Sequence, residues 1–227
     1  TLAMRALLAM RLHAPGDVRI GRLFVTRPAR FNTGIGGIGY SGLGIWRPGT
    51  DYTLTPEGAR DIQHICSDLS LLEQLGDENV GSLRLALRSF SSIYDRLHGQ
   101  EEDRIVDAIT ALEAIWGLDS ELSFRLALQT ATLLAAADDE RVRIYETLKD
   151  YYKIRSKVVH GTALKSDQAS RLLNDEPLRT VVRRALRAFL HLAVHPGEWT
   201  LNELRKNTEI ALIHAAKREE LRAAMGL

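Results

Sequence analysis

The chain has 227 residues and balances 30 Lys and Arg against 29 Asp and Glu, with 45% hydrophobic and 26% charged residues. That is the composition of an ordinary globular protein, which excludes general disorder and a wholesale polyanion binder, so any nucleic-acid site must be a local cationic patch. The single Cys66 forms no internal disulfide and sits among Ile62, Ile65 and Leu69, the setting of an inert thiol in a cytoplasmic protein. No basic-then-apolar leader and no apolar run of membrane-spanning length is present, so no membrane partner is expected. The chain opens at Thr1 inside an apolar-periodic stretch, which suggests a piece of a larger protein whose other domains are partners.

In chain order, Leu2 to Leu12 reads as a short helix and Val18 to Thr26 as a strand. Ile35 to Trp46 is a Gly-interrupted apolar run suited to a bent strand or hairpin. Thr55-Pro56-Glu57 opens a helix to about Leu75, with a cap residue, a first-position Pro and an early acid. Most of the 17 Gly lie before position 100, and long helical patterns dominate afterwards. A boundary near 76 to 82 therefore separates a mixed segment, residues 1–80, from a helical bundle, residues 81–227.

In the bundle Leu83, Leu87, Phe90, Tyr94 and Leu97 form one stripe and Ile105, Ile109, Leu112 and Trp116 the next. Glu121 to Ala136 and Asp139 to Val159 follow, the latter with Val142, Tyr145, Leu148, Tyr152 and Val159 inward. A fifth helix follows Pro177 with Val181, Leu186, Phe189 and Leu190, and a sixth starts at the capping box Thr200 to Glu203. Short connections make this an up-and-down bundle. The expected fold class is mainly α, with a smaller N-terminal α+β segment.

Two motif matches fail on context. Gly34-Ile35-Gly36-Gly37-Ile38-Gly39 spells the dinucleotide fingerprint, but Tyr40-Ser41-Gly42 follows where a helix is required. His191 and His195 stand one helical turn apart, yet no third metal ligand suggests itself nearby and structural histidines are expected. No metal and no cofactor are therefore predicted.

The most informative segment is Tyr151-Tyr152-Lys153-Ile154-Arg155-Ser156-Lys157-Val158-Val159-His160-Gly161. Five residues of intact helix turn about 500°, leaving Arg155 and His160 about 140° apart, so they converge only where the helix frays or ends. Gly161 supplies an ending as a left-handed cap, and His160 then projects from a helix C-terminus that favours its protonated form. Arg155 either serves chemistry there or pairs with a carboxylate such as Asp150 or Glu113.

With Arg84 to Phe90 on the first bundle helix and Asp107 to Trp116 on the second, the segment Tyr152 to Gly161 resembles the HEPN domains. The likeness is to the Apea-like group of prokaryotic defence proteins and covers about residues 83 to 195. The resemblance implies an all-helical homodimer that cleaves RNA without metal, its Arg-x4-His motifs meeting across a shared cleft. Arg155 and His160 would be the catalytic pair, Ser156 would stand where many members carry Asn, Asp or His, and Glu113 would support them. A non-catalytic dimerisation or RNA-binding module of a larger defence protein is the alternative. Two cationic repeats at helical spacing, Lys149, Lys153 and Lys157 and then Arg179, Arg183 and Arg187, offer phosphate contacts, as would any solvated helix face.

Overall fold

Cap chemistry sets the helix boundaries. In the computed structural model, which describes residues 2–18, 51–97, 99–117 and 122–227, the Thr55 hydroxyl accepts from Gly58 N–H at 3.0 Å and α2 (Pro56–Gln74) begins with Pro in its first turn. It is preceded by α1 (Leu2–His13). The strand expected from Val18 onward, the run Ile35 to Trp46 and the Gly34 to Gly39 motif lie outside the described residues. All ten elements among the described residues are helices, so the protein is mainly α.

The bundle continues with α3 (Asp77–Asp95), α4 (Glu101–Trp116), α5 (Leu122–Leu134) and α6 (Asp138–Val159). Then come α7 (Ser166–Leu173), α8 (Glu176–Val194), α9 (Leu201–Ile213) and α10 (Ala215–Ala224). The most extensive pairing is α3 with α4, where Leu83, Leu87, Phe90 and Tyr94 meet Ile105, Ile109, Leu112 and Trp116, all buried. Leu97 falls beyond the end of α3 and is exposed, so that stripe stops at Tyr94. The Trp116 indole donates to Thr130 Oγ1 at 2.8 Å and meets the Phe189 ring edge-on at 5.1 Å, which satisfies its polar atom inside the core.

The inward face of α6 is rotated from the predicted one. Ile144, Leu148, Tyr151 and Ile154 are buried, Val142 and Val159 are exposed, and Tyr145 and Tyr152 lie at the edge. The α7 helix, with no buried residue, went unpredicted because nothing on it carries a core-facing stripe. The Thr200 capping box opens α9 as expected, Thr200 and Glu203 each bonding the other's backbone N–H.

At the centre lies α8, packed against α1, α2, α3, α4, α5, α6 and α9. Ala9 and Leu12 of α1 and Ile65, Leu69 and Leu72 of α2 share one buried cluster with the later helices. Docking of α1 is fixed by Arg11, fully buried, which donates to Val18 O, Ser91 O, Ser91 Oγ and Asp95 Oδ1 at 2.7–3.1 Å. No helix among the described residues is long and apolar enough to cross a membrane.

Candidate functional site

The end of α6 and the last turn of α4 form the candidate site. Burial of Tyr151 and Ile154 leaves their neighbours Tyr152 and Arg155 at the α4 edge of α6, where Glu113 faces them. Arg155 Nη2 donates to Glu113 Oε2 at 3.1 Å, and Tyr152 Oη donates to Glu113 Oε1 at 3.0 Å. The guanidinium also lies 5.6 Å from the Tyr152 ring centre. One carboxylate thus clamps both side chains. Burial, reinforced by the hydrogen bond to Glu113, pushes the Tyr152 hydroxyl up to about 12, so it stays a neutral donor.

Arg155 is held without being used up. Its side chain is 24% exposed, and its Nε is buried with no hydrogen-bond partner among the described residues. A guanidinium carries five N–H donors, and the Glu113 bond accounts for one of them.

His160 ends α6. Its backbone N–H bonds Ser156 O at 3.1 Å, Gly161 N–H bonds Val158 O at 3.1 Å and Thr162 N–H bonds Lys157 O at 2.8 Å. With Gly161 at φ 64° this is a Schellman ending. His160 is exposed at its tip. Because helix persists to Val159, Arg155 turns toward α4 while His160 stands at the terminus, and no described contact joins them. Ser156 lies half-buried one turn before His160 and meets it through its carbonyl. The Arg155 to Glu113 pairing is one of the two arrangements open from sequence.

The cationic repeats part company. Lys153 is exposed beside Asp150, at 3.2 Å, and Arg171 of α7 reaches the same carboxylate at 3.0 Å. Arg171 is a surface cation that sequence reasoning passed over, since α7 was not foreseen. Lys157 donates to Gln168 Oε1 at 2.8 Å and so ties α6 to α7. Arg179 and Arg183 do not form the expected phosphate-tracking stripe: they are 3% and 4% exposed. Arg179 pairs with Asp17 at 2.8 Å, Asp175 at 3.1 Å and Glu176 at 2.7 Å. Arg183 donates to Arg11 O and to the Tyr94 hydroxyl. Arg187, more open, is bound to Asp61 at 2.8 Å.

The Arg179 cluster is the counterpart of the candidate site inside the fold. Arg104 of α4 reaches Asp175 Oδ2 at 2.8 Å, both nearly fully buried. Burial works against the Arg179 charge, and Asp175, Glu176 and Asp17 outweigh it, so its pKa lies above the ordinary arginine value. This network positions α8 against α4, with Arg104, Asp175 and Arg179 all nearly fully buried.

The lone thiol, Cys66, is half-buried on α2 and burial pushes its pKa up, which lowers its reactivity. The chain matches no family model, no curated protein and no solved structure.

Proposed function

We propose that the protein is a metal-independent endoribonuclease of HEPN type acting in prokaryotic defence or a toxin system, with Arg155 and His160 as its catalytic pair. The observation that carries this reading is the pairing of a clamped, partly open guanidinium at Arg155 with an exposed imidazole at the Schellman-capped end of the same helix. RNA brings its own nucleophile, the 2′-hydroxyl. His160 takes or returns the proton as the 2′-oxygen attacks phosphorus and the bond to the 5′-oxygen breaks, leaving a 2′,3′-cyclic phosphate and a 5′-hydroxyl. Arg155 donates to the nonbridging oxygens as negative charge builds on them.

Divergence of the two side chains on one intact helix calls for a homodimer. When two α6 ends meet about a two-fold axis, His160 of one subunit is set beside Arg155 of the other. Glu113 and Tyr152 serve as positioning residues, fixing the guanidinium before substrate arrives. Lys153 and Arg171 supply the cationic approach for the RNA backbone.

A second reading is favoured by the Arg155 to Glu113 bond itself, since a guanidinium paired within its own subunit also suits a non-catalytic dimerisation or RNA-binding module. The test is cleavage of a labelled single-stranded RNA in EDTA by wild type and His160→Ala, with mass analysis of the product ends. Cyclic phosphates in the wild-type reaction and none with the variant support the enzyme. Equal, background-level products from both support the module.

A further inference from the structure

His191 of α8 and His195, the cap residue that ends it, gain in three dimensions the partner that their sequence neighbourhood lacks. Packing of α2 on α8 brings in Asp68, whose Oδ1 lies 3.1 Å from His195 Nε2. The two imidazoles are 4.9 Å apart, centre to centre, with their planes tilted by 46°. One donor atom from each of Asp68, His191 and His195 falls within 4.8 Å of the others. Ligand atoms about 2.0–2.1 Å from a tetrahedral ion stand about 3.4 Å apart, so side-chain rotation of about 1 Å closes the set without moving either helix.

The surroundings fit a cation. Asp68 and His191 border a cleft of about 370 Å³ lined also by Asp61, His64, Arg184 and Arg187. Arg187 is committed to Asp61 at 2.8 Å and Arg184 to Glu140 at 2.6 Å, so both cations are neutralised. His64 stands one turn before Asp68, giving each of the two packed helices an i, i+4 donor pair: His64 with Asp68, and His191 with His195. Gly226, at φ 71°, leaves room for the His191 ring, since a side chain there would press within 3.1–3.4 Å of it.

We propose that the α2–α8 seam binds one divalent transition-metal ion through Asp68, His191 and His195, with zinc the best match to this nitrogen and oxygen donor set. Three protein ligands leave the fourth position to water. The site lies on different elements from Arg155 and His160 and joins α2 to the end of the central helix, so zinc binding there is read apart from the RNA chemistry.

The test uses the full chain, stripped with a chelator and returned to chelator-free buffer. Zinc chloride titrated by calorimetry should saturate at one equivalent and raise the thermal midpoint by about 5 °C. Asp68→Ala and His195→Ala should each weaken binding by at least about tenfold, while His214→Asn, which keeps a cap at the start of α10, leaves affinity unchanged. Cobalt on the wild-type protein should give the intense visible bands of a four-coordinate site, a readout that needs no variant to fold. Absence of saturable zinc binding at micromolar protein, or a weak six-coordinate cobalt spectrum, overturns the proposal. Equal affinity in both alanine variants overturns it too.

Discussion

Two arginine clusters bracket α4, and they differ in closure rather than in composition. At one end Arg104 and Arg179 meet Asp17, Asp175 and Glu176, with both guanidiniums almost wholly out of water. At the other, Arg155 shares Glu113 with Tyr152 and keeps a quarter of its side chain exposed. In the first, carboxylates from several elements surround the charge, and the cluster holds the fold. In the second, one carboxylate among the described residues orients the charge, and part of the side chain stays open. Closure distinguishes a structural arginine from one available to a phosphate, and no count of basic residues does so.

The contrast is broken most severely inside the core. Arg179→Ala leaves Asp175 with Arg104 alone and Glu176 with Arg183 and Thr180, and breaking a buried pair in this way costs about 3–5 kcal/mol, which urea denaturation would read as a large fall in midpoint. An unchanged midpoint would mean the cluster is not the anchor described here.

The open cluster responds differently. Glu113→Gln should leave folding within about 1 kcal/mol yet lower RNA cleavage about tenfold, because Arg155 loses its orientation. It also has a titration signature. With its pKa raised from the ordinary tyrosine value of about 10 to about 12 in the fold, Tyr152 contributes stability that is complete below pH 10 and is lost as pH rises through 12. Glu113→Gln removes the hydrogen bond and charge that add to burial at Tyr152 and so lowers its transition part of the way, while Tyr151, also raised to about 12 chiefly by burial, stays put. Tyrosinate absorbance during alkaline titration distinguishes the two.

The smallest effect is expected at Gly161. Its φ of 64° disfavours any side chain even though a Cβ would meet nothing within 4 Å, so Gly161→Ala costs about 1 kcal/mol. It also loosens the turn that presents His160. A thermal midpoint unchanged by this substitution would argue against the Schellman ending.

Much of this architecture was legible from local rules. The Thr55 and Thr200 caps, the α3 and α4 stripes and the Gly161 ending all depend on residues within a turn or two of one another. What escaped depends on distance in the chain. Arg179 and Arg183 repeat like a solvated face, and only their contacts with Asp17 and Arg11, more than 160 positions away, bury them. Asp68 joins His195 across 127 positions, so the third ligand of the proposed metal site had no sequence signal. The α6 register slipped because aromatic residues at 145 and 152 read as core when they lie at the edge, while Ile144 and Tyr151 beside them face inward. Glu113 was legible through resemblance, and its clamp on Tyr152 was not.

The most direct measurement is the rate of single-stranded RNA cleavage in EDTA by Arg155→Ala beside wild type, with the thermal midpoint taken on the same samples. A loss of about a thousandfold with the midpoint nearly unchanged is the result predicted if, as proposed, the open arginine acts on substrate and not on the fold. Full activity in the variant would contradict the account, and Arg155 would then join Arg179 as an arginine that serves only the structure.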